Sequence, residues 1–188
     1  YIPVSSYMKY TPKEFDDQRP VVLHIGTGSN KNLPRLAMAL QGIRCKLEII
    51  GELSIAQIAV LKENQIDYND SFNLSNEEMR EKYEKADLLS FASTYEGFGM
   101  PIVEAQIVGR PVLTGNVLSM PEVAGDGAHL VDPYNITEIR EGILKIINDK
   151  DYRNTLVEKG IKNATRFSAK KLAKEYANLY QEVCTRGN

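Results

Sequence analysis

The chain has no tryptophan and only two cysteines and two histidines in 188 residues. Cys45 and Cys184 are too few for a disulfide framework, and their spacing fits no metal motif. His24 and His129 lie far apart, each inside a strand pattern, and read as ordinary strand residues rather than ligands or bases. Neither sign of charge is in excess: the formal net charge is −2, so nothing global draws the protein to nucleic acid or an anionic membrane. No apolar run approaches the ~20 residues of a spanning helix. The first residues lack the basic-then-apolar order of a signal peptide, and Tyr1 stands where an initiator methionine is expected, which suggests a fragment or processed form. The expectation is a reduced, cytoplasmic protein of one domain, able to bury roughly 70% of its unfolded surface.

What is present is alternation. Strand patterns cover residues 21–26, 46–51, 66–69 (weakly), 87–92, 111–114 and 128–131. Helical patterns fall between them at 34–40, 55–63, 77–85 and 101–108, with a short turn at 120–124. Such alternation predicts a doubly wound, Rossmann-like α/β fold: a parallel sheet covered on both faces, with its ligand crevice at the carboxyl ends of the strands. From residue 136 onward the pattern is all helix, over 136–148, 152–166 and 168–183. In the last of these, Leu172, Tyr176, Leu179 and Tyr180 fall on one face, ready to pack. Residues 1–19 mix Pro, Ser, Tyr and charge without periodicity and read as an extended lead-in or linker.

The most informative stretch runs from Ser93 to Ala105. Its glycines, Gly97 and Gly99, free the backbone to turn and approach a ligand. Pro101 suits the first turn of a helix. Strand, glycine turn and helix start together make an anion site from free amides and the positive end of the dipole. Glu96 and Glu104 flank it with seven residues between them, so a phosphate-bearing, hydroxyl-rich ligand would use both features. Each residue also has a plainer reading. Glu104 can complement the helix dipole, Glu96 can be a solvated loop carboxylate, the glycines can serve only the turn, and Phe98 and Met100 can be core.

Taken together, these segments resemble the C-terminal, donor-binding half of a GT-B glycosyltransferase, closest to glycosyltransferase family 4. The resemblance runs from about Val21 to Tyr180 and centres on Glu96 to Ala105, which is similar to the family's pair of glutamates seven residues apart. Supporting pieces are Gly26 with Lys31 and Asn32, Glu77 with Tyr83 and Asp87, Gly109 to Val112, Pro121 to Val123, and Val131 to Pro133. The resemblance implies a domain over 20–188 that binds a nucleotide-diphosphate sugar, preceded by an acceptor-binding half before Tyr1. By it, Glu104 accepts hydrogen bonds from the donor ribose, and Glu96 lies near hydroxyls of the transferred sugar. Gly26, Thr27, Gly97, Phe98, Gly99, Met100 and Ile102 line the donor, and Lys31 neutralises the departing diphosphate, where negative charge grows as the glycosidic bond breaks. It implies hexose transfer with retention, no required cofactor or metal, and an acceptor glycan or lipid held by the other half, through which the full enzyme can meet the inner membrane face. Polysaccharide assembly is the family-level expectation.

Two departures stand out. Thr27 replaces the arginine that many members carry after the first-strand glycine, leaving the charge to Lys31 alone, to Arg35 or to the other half. The paired glycines before Pro-Glu read Leu118-Ser119-Met120. Residues 70–74, where the nucleobase is expected, match poorly, so the base stays open. Among weaker signals, Asp149-Lys150-Asp151 reads as a helix cap rather than a metal motif, and Gly26-Thr27-Gly28 lacks the third glycine of a dinucleotide fingerprint. The rival readings are a GT-B-type sugar-nucleotide 2-epimerase and a non-catalytic, flavodoxin-like regulatory domain.

Overall fold

A computed structural model describes residues 7–168 and, in the C-terminal segment, 173, 174, 176–178, 180, 181 and 184. Six strands form one parallel sheet: β1 (Val21–Ile25), β2 (Lys46–Ile50), β3 (Tyr68–Ser71), β4 (Leu88–Phe91), β5 (Val112–Gly115) and β6 (His129–Val131). Their order is β3-β2-β1-β4-β5-β6, so the chain reverses direction across the sheet between β1 and β4. That switch point is where crossovers on opposite faces part and leave a crevice above the strand ends. Register is set by apolar pairs such as Val22 with Leu88 and Leu23 with Leu89.

Successive side chains along a strand point to opposite faces, and this divides the core. Val22, Leu47 and Leu88 face α1 (Leu33–Leu40), α2 (Ile55–Glu63) and α6 (Ile136–Asn148). Leu23, Leu89 and Phe91 face α3 (Asn76–Lys85), α4 (Met100–Val108) and α5 (Met120–Ala124). The last helix of this order, α7 (Lys150–Ala164), packs on α4 and ends in a 3-10 turn, Thr165–Phe167.

The expected doubly wound fold is what forms, with local shifts that have local causes. β3 begins two residues later than its apolar pattern because Gln65 turns with a positive φ of 55° and the Ile66 amide closes the end of α2 on the Leu61 carbonyl. α3 starts one residue early because Ser75 and Glu78 form a capping box. α7 starts at Lys150 because Asp149 caps it through the Tyr152 amide. Most of the helix expected over 168–183, including Leu172 and Leu179, lies outside the described residues. No helix among the described residues is long and apolar enough to cross a membrane.

Residues 7–19 carry no helix or strand but lie along the base of the sheet. The Thr11 amide donates to the Val108 carbonyl, Arg110 donates back to the Thr11 carbonyl, and Lys13 pairs with the buried Asp87. Further on, Phe15 lies under the Arg153 guanidinium, 3.8 Å from its ring centre.

Beneath the crevice His24 is 1% exposed. Its Nδ1 lies 3.3 Å from the Ser90 carbonyl, and its Nε2 has no partner. Burial pushes this imidazole from 6.5 down to about 4. Folding therefore favours the neutral ring, whose contribution to stability is whole above pH 6.5 and is lost as pH falls toward 4. A gap of that size corresponds to about 3 kcal/mol. His129, lowered chiefly by burial, acts in the same direction. Urea unfolding between pH 7 and 5 is expected to show stability falling with acid, and His24→Met should remove most of that slope. An unchanged slope in the variant would refute this.

Candidate functional site

At the switch point, the loops after β1 and β4 are stitched together. β1 leads into Gly26, whose φ is 92° and whose amide donates to the Ile50 carbonyl at 2.7 Å. A Cβ on Gly26 would lie 2.8 Å from Lys31 Cε and 2.9 Å from its Cγ, so the glycine is what lets the lysine stem cross here. Lys31 ends a short 3-10 turn, Ser29–Lys31. Its Nζ donates to Glu96 Oε1 at 2.6 Å and stands 4.9 Å from the centre of the Phe91 ring. On one side of Lys31, Asn30 donates to the Tyr95 carbonyl at 2.8 Å and receives the Thr94 amide at 2.8 Å. On the other, Asn32 adopts the left-handed conformation. It is buried and donates to the carbonyls of Ala92 and Pro133. Two asparagines thus fix the lysine between them.

The signature loop rises from β4 and enters α4 through Gly99, which caps the helix with φ 99°. A Cβ there would reach 3.0 Å from Ile102 Cδ1. Pro101 sits in the first turn, where an amide would lack an intrahelical partner in any case. Ser119 Oγ lies 2.9 Å from the Glu96 carbonyl and 3.1 Å from that of Phe98. The serine found in place of paired glycines therefore clips the loop down. Gly97 is exposed, and a Cβ on it would meet nothing within 4 Å. Phe98 packs edge-on against Phe167 at 5.6 Å, beside a hollow of about 210 Å³ that Ser119, Glu122 and Arg166 also line. Met100 is half-buried at the first turn.

Glu104 lies one turn into α4, but it is not an open carboxylate on the rim. It is only 6% exposed, and its Oε2 accepts the Tyr83 hydroxyl at 2.7 Å. Ile102 is fully buried and its amide donates to the Gly99 carbonyl, so it supports the turn from below rather than facing the crevice. Thr27 rests its methyl group over Gly51, where a Cβ would come within 2.7 Å of it, and its carbonyl accepts Gln57 Nε2. Arg35 is drawn aside: it donates to Asn32 Oδ1 at 3.0 Å and lies over the Tyr134 ring.

The model of the glycosyl transferases group 1 family matches residues 10–163. The chain belongs to this family. Relatives of this group 1 domain include O-antigen chain mannosyltransferase B of Escherichia coli, 35% identical over 106 residues, covering 56% of this chain and 28% of that protein. The MMP alpha-(1->4)-mannosyltransferase of Mycolicibacterium hassiacum is 29% identical over 143 residues, covering 74% of this chain and 33% of that protein. Among solved structures, sucrose-phosphate synthase from Thermosynechococcus elongatus superposes with a TM-score of 0.80 at 20% identity, over 92% of this chain and 47% of that one. Anabaena HepE in complex with UDP and glucose gives 0.72 at 19% identity, over 88% of this chain and 49% of that one. The group 1 domain thus spans about a third or less of these curated relatives and about half of the solved chains.

Of the expected site residues, the fold brings Gly26, Lys31, Glu96 and the turn through Gly99 to one place, while Glu104 is buried one turn into α4 against Tyr83. Asn30 was not singled out in the sequence, and Asn32 and Ser119 were named there without the hydrogen-bonding roles they hold in the structure. The asparagines flanking Lys31 were a usable signal, since asparagine favours both the left-handed conformation and local capping.

Proposed function

We propose that the group 1 domain is the donor-binding half of a glycosyltransferase that moves a hexose from a nucleotide-diphosphate donor, with retention, to an acceptor glycan or lipid held by a second half. The observation that carries this is the Lys31 ammonium, fixed 2.6 Å from Glu96 at the mouth of the β1/β4 switch, beside the N-terminus of α4. A diphosphate seated there meets the helix amides and a cation that offsets the charge developing on the leaving phosphate. Glu96, released from Lys31 by the phosphate, is then placed to accept hydrogen bonds from the sugar. Glu104 binds the ribose from below. The mannosyltransferase relatives make mannose the first sugar to test, and the HepE complex makes glucose the second. No observation favours the epimerase or the regulatory reading.

Closure of a second half over the donor would exclude water and complete the site. The 188-residue chain is therefore expected to bind nucleoside diphosphates weakly and to transfer no sugar by itself. Calorimetric titration with UDP, GDP and ADP against the parent nucleosides checks the first point. At least one diphosphate should bind more tightly than its nucleoside by roughly 30-fold or more. Equal, negligible binding of all of them would favour a non-catalytic domain.

A further inference from the structure

Tyr83 is among the largest fully buried side chains of the protein, yet it is polar. It sits near the end of α3 and is held at both ends. Its carbonyl accepts Arg110 Nε at 3.1 Å, while the same guanidinium caps α3 through the Glu84 carbonyl at 2.9 Å. Its hydroxyl donates to Glu104 Oε2 at 2.7 Å, across 21 residues of sequence. A buried phenol whose only task was to fill space would be served as well by phenylalanine. A buried carboxylate without a donor is costly. The pair therefore makes sense as a unit that holds a carboxylate in one orientation one turn into α4. Burial first, and then the Glu104 charge, raise the phenol well above its ordinary value of 10, so it remains a donor throughout the physiological range.

We propose that Tyr83 is a positioning residue: it sets the plane of the Glu104 carboxylate so that this carboxylate recognises the ribose hydroxyls of the donor. The inference deepens the reading of Glu104 given above and rests on it. Tyr83 touches no substrate itself. It acts by removing the rotamer freedom that would let Glu104 swing toward solvent, and a preoriented acceptor binds without that entropic cost.

The test compares a ribonucleoside diphosphate with its 2′-deoxy counterpart, using whichever of UDP, GDP or ADP binds the wild-type chain most tightly. The wild type should prefer the ribo form by roughly tenfold, as expected for hydrogen bonds to a charged acceptor. Tyr83→Phe should cut that preference to about threefold or less while leaving the preference for diphosphate over nucleoside unchanged. A merely structural role would weaken all ligands alike. In the wild-type chain, the Tyr83 Cζ resonance should move on adding the ribo form and stay put with the deoxy form, a readout that needs no variant to fold. Full ribo preference in Tyr83→Phe, or a resonance indifferent to both ligands, overturns the proposal. Absence of ribo preference in the wild type overturns the Glu104 reading beneath it.

Discussion

Lys31→Met is expected to weaken nucleoside diphosphate binding roughly 30-fold, or about 2 kcal/mol, while leaving nucleoside binding unchanged. The ammonium carries a full charge at a partly buried position, with 22% of its side chain exposed and 13% of that of Glu96, so solvent screens it less than a surface lysine. Glu96→Gln should move affinity the other way. In the free protein Glu96 occupies the lysine and places a negative charge beside the phosphate position. Removing that charge frees Lys31 and is expected to tighten diphosphate binding about threefold at low salt, an advantage that shrinks as salt rises. Calorimetry on the three proteins decides it. Weaker binding by Glu96→Gln would mean that the pair acts as one scaffold rather than as two competing partners.

Asp87→Ala is expected to cost about 3 kcal/mol of stability, a fall of roughly 6–12 °C in Tm. The Asp87 side chain is 1% exposed. It accepts the Val21 amide at 2.8 Å and the Asp16 amide at 3.1 Å, and pairs with Lys13. Its loss strands two amides and an ammonium at the base of the sheet, where the lead-in joins β1 and β4. Asp67→Ala breaks only the pair with Arg19, in which both side chains are about half exposed, and should leave Tm nearly unchanged. Equal, small losses in the two variants would show that residues 7–19 are not anchored as described.

These two regions were not equally legible in the sequence. The strand, glycine turn and helix start around Gly99 could be read because each signal is local: a positive φ, a first-turn proline, an apolar run. Alternation implied a doubly wound parallel sheet, but not the strand order, which depends on which strands pair across the switch. The anchoring of residues 7–19 was not legible, because backbone groups and two scattered side chains, Lys13 and Phe15, meet Asp87, Arg110 and Arg153, and such contacts leave no periodicity. Family likeness gave Lys31 and Glu96 separate roles; that they pair, 65 residues apart, depends on the β1 and β4 loops meeting at the switch point and was not legible. The burial of Glu104 depends on a phenol from another helix, which no spacing within α4 reveals. Ile102 looked like part of a ligand loop because it lies inside the signature, but the helix turns its side chain into the core.

In the proposed complex a diphosphate lies between Lys31 and the N-terminus of α4. The most direct measurement is the structure of this chain bound to the tightest of UDP, GDP and ADP. The terminal phosphate is expected within hydrogen-bond distance of Lys31 Nζ, with the Lys31 to Glu96 contact opened. A diphosphate seated elsewhere, with that ion pair intact, would contradict it.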